Sequence, residues 1–370
     1  MGSRISRVAG NVALSVAAAL LCAAGAEMAL RLLAWREPSP AGQDLARTLE
    51  RQPPPFRGDC SRPEDQAALG DVVRPSSLPD LIYELRPDLD TCFYGARVRT
   101  DAAGVRTDRA LVRPKPPDVY RIVLLGDSQA FGQGVELSDT FGELVAADLA
   151  RRSGRTVEVV NLGVDGYNTV QEAATLRHKG LAYEPDCVTV LFVGNDLELP
   201  AFLQAPRPDR AVDPRRSFLL EGLASLRRAL SRRTRSDPFE PLTAPDPSSV
   251  PEEYRHMVGV DAYRRALASM ARMVRPLGIP LVNLAGYSVQ DKGPWYRLRR
   301  WQEDDLGIVV PVFRLPYAEE FWLSDANRHL NPHGHRVAAD MILAAFEDSG
   351  VCLPSPVSGP AAPTARSRVP

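Results

Sequence analysis

Five apolar runs of strand length constrain this chain more than any other feature. They lie at residues 120–125 (YRIVLL), 157–162 (VEVVNL), 187–193 (CVTVLFV), 280–285 (PLVNLA) and 308–313 (IVVPVF). Their apolarity is nearly continuous and does not alternate, which is what a parallel strand covered on both faces requires. Helical patterns fill the gaps. Thr140 with Glu143 forms a capping-box pattern before Leu144–Arg152, and Thr169 with Glu172 repeats it before a helix that Gly180 can end. Asp261–Val274 and Gly334–Asp348 also read as helices. Strands alternating with helices predict an α/β fold, a three-layer α/β/α sandwich around a parallel five-stranded sheet. Ligands of such sheets bind beyond the carboxyl ends of the strands.

Material outside these runs has a different character. Of 370 residues 33 are proline, and they concentrate before Val119, between Pro200 and Pro251, and after Leu353. The expected divisions are an amino-terminal segment 1–36, a Pro-rich juxtamembrane extension 37–118, a main domain 119–352 with an insertion at 197–258, and a disordered tail 353–370. Within the insertion, Ser217–Arg235 is a basic amphipathic stretch, read as a solvated face or as a contact for anionic lipid or glycan. A net charge of −1 gives no electrostatic reason to expect nucleic acid.

Arg4 and Arg7 precede a mostly apolar run from Val8 to Ala26, and Met28–Trp35 continues it after Glu27. A signal peptide would be cleaved near Ala24-Gly25-Ala26, whereas a signal anchor would use the whole run as a membrane helix. Both place the remainder outside the cytoplasm, on the periplasmic or cell-surface side. Among the five cysteines, Cys60 and Cys92 are placed to close a disulfide, and Cys187 begins an apolar strand, where a free thiol behaves as a small hydrophobe. No pair has metal-ligand spacing.

Chemistry concentrates where the first three runs end. The first stops at Gly126-Asp127-Ser128, which exposes a serine hydroxyl at the sheet's carboxyl edge. The second runs into Asn161–Asn168, where Gly166 can offer an unobstructed N–H, and the third ends in Gly194-Asn195-Asp196, with an amide suited to developing negative charge. Each alone is compatible with an ordinary turn. Three in succession, Ser128, Gly166 and Asn195, read as a nucleophile with oxyanion donors. A serine needs a base, and that base needs an acceptor to fix its tautomer. His329 meets the first need, and Asp325, four residues earlier, is the candidate for the second; His333 and His335 lack such an acid and read as capping or packing residues.

This constellation resembles the SGNH (GDSL-like) hydrolase superfamily over about residues 119–350, with Ser128, Gly166, Asn195 and His329 matching its four blocks in order. The amino terminus and Tyr83-Glu84-Leu85-Arg86-Pro87 are similar to its bacterial membrane-anchored members. The resemblance implies a flavodoxin-like sheet, no metal or organic cofactor, and hydrolysis of acyl esters on a small molecule, glycan or lipid, with acetyl or short chains expected. It departs from the family in its acid, which usually stands two or three residues before the histidine, where this chain has Asn327 and Ala326. Either the loop carries an extra residue and Asp325 serves, or a dyad works with a backbone carbonyl. Acyl transfer to a cell-surface glycan and a non-catalytic, membrane-tethered accessory role are the alternatives.

Overall fold

The computed structural model describes residues 2–36, 52–201, 203, 217, 219–220, 250 and 252–356. The chain forms two compact units, Met1–Asp44 with Phe202–Glu240, and Leu45–Ala201 with Pro241–Pro370. In the first, a helix spans Gly2–Arg36. Its Glu27 pairs with Arg31 at 2.9 Å and accepts hydrogen bonds from the Ser217 hydroxyl and the Leu219 N–H. Among the described residues, no helix is long and apolar enough to cross a membrane. Most of the basic stretch Ser217–Arg235 and the tail beyond residue 356 lie outside the described residues.

The second unit is built on four parallel strands: β1 (Val119–Leu125), β2 (Thr156–Asn161), β3 (Cys187–Phe192) and β4 (Leu281–Ala285). Their order is β2-β1-β3-β4. All neighbouring pairs are parallel. The fifth apolar run does not form a full strand. It joins β4 through one bridge, Val282 to Val309, with hydrogen bonds from Asn283 N–H to the Val309 carbonyl and from Val309 N–H to the Leu281 carbonyl, each 2.9 Å. Pro311, two residues on, has no N–H to extend that ladder.

Helices cover both faces. They are α1 (Ser128–Phe131), α2 (Phe141–Ser153), α3 (Thr169–His178), α4 (Gly259–Val274), α5 (Gly293–Asp304) and α6 (Pro332–Ser349). Successive residues of β1 feed opposite layers. Val123 and Leu125 pack with Leu176 of α3 and Tyr263 and Leu267 of α4. Ile122 and Leu124 pack with Phe141 and Val145 of α2 and Ile342 and Phe346 of α6. That two-sided burial accounts for the continuous apolarity of the runs. Thr140 caps α2 as its sequence pattern predicts, whereas α3 is capped by Asn168, leaving Thr169 inside the first turn.

Residues 52–118 belong to the same unit. They form a three-stranded sheet (Gln66–Ala67, Asp90–Phe93, Ala96–Arg99) and a two-stranded one (Val73–Pro75, Tyr83–Leu85). Cys60 and Cys92 are disulfide-bonded. Cys187 is likewise bonded to Cys352, which corrects the reading of Cys187 as a free thiol: the turn after α6 returns the chain to the start of β3.

Candidate active site

The centre of the site follows from strand order. β1 and β3 are neighbours, and the chain leaves β1 for β2 on one side and then crosses to β3 on the other. That reversal opens a crevice at their carboxyl ends. Ser128 stands there as the first residue of α1, where a backbone N–H has no acceptor within the helix. The turn itself is held by the Asp127 carboxylate, which caps α1 by accepting from the Gln129 N–H at 2.9 Å. The residue is only 6% exposed.

His329 reaches the serine across a sequence separation of about two hundred residues, with Nε2 2.7 Å from Ser128 Oγ. A contact from Ser128 Oγ to Asp127 Oδ2 is longer, at 3.2 Å. The shorter one takes the single hydroxyl proton, which is the geometry a general base needs. Burial lowers the His329 imidazole to about 4, so it is neutral and able to accept a proton at ordinary pH.

The acceptor on the far side of the imidazole is not Asp325. Nδ1 of His329 lies 2.5 Å from Oδ1 of Asn327. A turn closed by hydrogen bonds between Ser324 and Asn327 swings Asn327 under the ring and leaves Asp325 exposed at the turn's tip. No hydrogen bond links Asp325 to His329 among the described residues. One residue that the sequence did not point to steadies this loop. Gln129, 7% exposed, donates to the Arg328 carbonyl and accepts from the Leu330 N–H, each at 3.4 Å. Its amide fastens the nucleophile helix to the backbone on either side of the base.

Gly166 lies beside this centre in a β-turn closed by the Tyr167 N–H on the Val164 carbonyl at 3.1 Å. As the third turn residue it has φ +76°, a conformation side chains rarely adopt, and its N–H takes no part in closing the turn. A Cβ there would stand 2.5 Å from Ala201 Cβ and 2.9 Å from the Tyr83 hydroxyl. Gly163, three residues earlier, is required by close approach instead, since a Cβ would meet the Phe131 nitrogen at 2.5 Å. Asn195, half-buried, donates through Nδ2 to the Tyr167 carbonyl at 3.2 Å, which ties the third block to the second. Ser128, Gly166 and Asn195 thus sit on turns that border the same crevice.

Two residues of the extension brace these turns. The Tyr83 hydroxyl donates to the Asp165 carbonyl at 2.8 Å, and the Tyr167 hydroxyl donates to the Tyr83 carbonyl at 2.6 Å. Arg106, 2% exposed, donates to the carbonyls of Phe131, Gly132 and Val135, at the carboxyl end of α1. A cation there matches the partial negative charge of helix carbonyls.

Acid groups cluster behind the crevice. Burial raises the Asp127 carboxyl, offset partly by the bond from the Gln129 N–H and by the nearby Ser128 hydroxyl and Asn195 amide. Asp165 is pushed up to about 7 by burial and by Asp127. Glu172 and Asp196 are buried close to one another, and desolvation raises both well above the carboxylate range. The Asp196 carboxylate accepts from Thr169 at 2.5 Å and from the Val193 N–H at 2.6 Å, holding the turn that carries Asn195. His335 is 1% exposed and accepts from the Phe141 N–H at 3.1 Å, and His333 stacks on Phe321, so both pack the fold. Among the described residues, no group of three or more His, Cys, Asp or Glu is placed to hold a metal ion.

Residues 124–337 match the family described as GDSL-like Lipase/Acylhydrolase, a span that includes Ser128, Gly166, Asn195 and His329. The chain belongs to that family. It is accordingly an ester hydrolase of the SGNH type. Solved structures similar to this GDSL-like chain include a lipase/acylhydrolase from Enterococcus faecalis, at 17% identity and TM-score 0.37, covering 62% of this chain and 96% of that one. A psychrotrophic esterase from Pseudoalteromonas sp. is similar at 12% identity and TM-score 0.38, covering 62% and 97%. An acetyl xylan esterase from Geobacillus stearothermophilus is similar at 16% identity and TM-score 0.37, covering 65% and 97%. A comparison with curated proteins gave no match.

Proposed function

We propose that this GDSL-like hydrolase cleaves acetyl or other short acyl esters of a carbohydrate or lipid outside the cytoplasm, through an acyl-enzyme on Ser128. The observation that carries the chemistry is the 2.7 Å contact between Ser128 Oγ and His329 Nε2. His329 takes the hydroxyl proton as Oγ attacks the ester carbonyl. The oxyanion that forms is met by the backbone N–H groups of Ser128 and Gly166 and by the Asn195 amide. His329 then protonates the departing alcohol, and water, activated by the same imidazole, releases the acid and frees the serine.

A small acyl group is supported by the low exposure of Ser128, at 6%. The location is supported by the two disulfides, Cys60–Cys92 and Cys187–Cys352, since such bonds persist in oxidising compartments. The apolar run behind Arg4 and Arg7 is the proposed export signal.

The test is hydrolysis of short aryl esters by the intact protein beside two variants. Ser128→Ala is expected to abolish turnover, and Asn195→Ala to remain folded while slowing it about 10²- to 10³-fold. Undiminished hydrolysis by Ser128→Ala would reject the acyl-serine route.

A further inference from the structure

A carboxamide occupies the place where a serine hydrolase ordinarily carries a carboxylate. Substituting amide for acid in a well-known triad costs about 10⁴-fold in turnover, because the wrong imidazole tautomer forms. That penalty depends on which end of the amide faces the ring. Here the orientation is fixed locally. The His329 backbone N–H donates to Asn327 Oδ1 at 3.3 Å, and the imidazole Nδ1 meets the same oxygen at 2.5 Å. A rotated amide would point its NH₂ at the backbone N–H, donor against donor. With the oxygen held toward the ring, Nδ1 must carry the proton, and the lone pair on Nε2 is left for the Ser128 hydroxyl. The turn from Ser324 holds Asn327 independently, through hydrogen bonds from the Asn327 N–H to the Ser324 carbonyl and hydroxyl, both 3.0 Å.

We propose that Asn327 is the positioning residue for His329, so that this enzyme works with a Ser128–His329–Asn327 triad in which no carboxylate touches the imidazole. The inference rests on the acyl-serine reading above. Its chemical consequence is that nothing anionic adjoins Nδ1 to favour the imidazolium. The charged and titratable groups nearest it are Asp127, which the Ser128 hydroxyl also contacts at 3.2 Å, Asp325 and Arg328 on its own loop, and His335 on α6, close enough to be affected by His329. Arg328 lies over the Trp322 ring, 4.9 Å from its centroid, and Asp325 is exposed. Burial is what moves His329, downward to about 4. The base therefore stays unprotonated in mildly acidic solution, where a carboxylate-paired imidazole would already be charged.

The experiment compares wild type with Asn327→Asp and Asn327→Ala in the intact protein. Its readouts are kcat/KM against pH on an aryl acetate and the rate of Ser128 labelling by a fluorophosphonate, with thermal unfolding to confirm folding. Wild type is expected to keep its activity down to about pH 4. Asn327→Asp is expected to stay active at neutral pH and to move the acidic limb upward by about one to three pH units, the effect of an adjacent opposite charge. Asn327→Ala is expected to lose roughly 10²- to 10⁴-fold in both readouts while remaining folded. A merely structural asparagine would not shift the limb. The proposal is overturned if a folded Asn327→Ala labels as fast as wild type, if the aspartate variant leaves the acidic limb in place, or if activity is lost through Asp325→Ala and kept in Asn327→Ala. Should Asn327→Ala unfold, the limb of the nearly isosteric aspartate variant decides alone. Failure of wild type to label at all would instead defeat the acyl-serine reading, and this inference with it.

Discussion

A carboxyl group one residue from a proposed oxyanion donor is harmless only while it keeps its proton. Asp165 immediately precedes Gly166, and burial with the nearby Asp127 raises it to about 7. Below that pH it is neutral. As pH rises through 7 it ionises and sets a negative charge one residue from the N–H proposed to meet the substrate oxyanion. We expect kcat/KM to decline about five- to tenfold above neutrality for that reason, and Asp165→Asn to flatten the decline. Paired pH–rate profiles check it, and an unchanged alkaline limb in the variant would remove Asp165 from the account. At this scale the sequence was most informative where a strand run ends abruptly in small or polar residues. Ser128, Gly166 and Asn195 were singled out that way, because the exit of a buried strand is a fixed point of the fold. Asn327 was not, because the turn from Ser324 to Asn327 has no periodicity, and four residues of separation place Asp325 at the exposed tip of the turn instead of under the ring.

Among the elements, the extension does more than connect. Tyr83 lies on a short strand, yet its hydroxyl holds the carbonyl of Asp165 and its own carbonyl receives the Tyr167 hydroxyl. The turn carrying Gly166 is therefore secured from outside the parallel sheet. Tyr83→Phe keeps the ring and removes one buried hydrogen bond, a stability loss of about 0.5–1.5 kcal/mol. If the turn is positioned by that bond, kcat should fall severalfold with KM little changed, which steady-state kinetics beside thermal unfolding would show. Equal kcat in both proteins would reduce Tyr83 to a packing residue. Such long-range braces leave no trace in local sequence pattern, and neither does the truncation of the fifth run. Its apolar residues read as a strand, but Pro311 lacks the N–H that pairing needs, and only Val309 bridges to β4. Helix α5 was missed for a related reason, since its Arg-rich sequence buries only Trp295, Leu298 and Gln302.

At the level of the whole chain, the disulfide between Cys187 and Cys352 closes a loop with a sequence separation of 165 residues. Restricting so long a loop in the unfolded chain predicts a loss of about 2–4 kcal/mol when the bond is removed. Cys187→Ala with Cys352→Ala should therefore unfold at lower urea than the oxidised wild type, and a coincident transition would refute this. Sequence spacing did not pair these two cysteines, because only the fold brings Cys352 back to the start of β3. The same bond has a topological meaning. Asn195 and His329 both lie within the covalent ring it closes, while Ser128 lies on the chain leading into it. A single protease cut anywhere between the two cysteines would give two polypeptides that stay linked, so a nicked enzyme retains Ser128, Asn195 and His329 on one molecule until a reductant separates them.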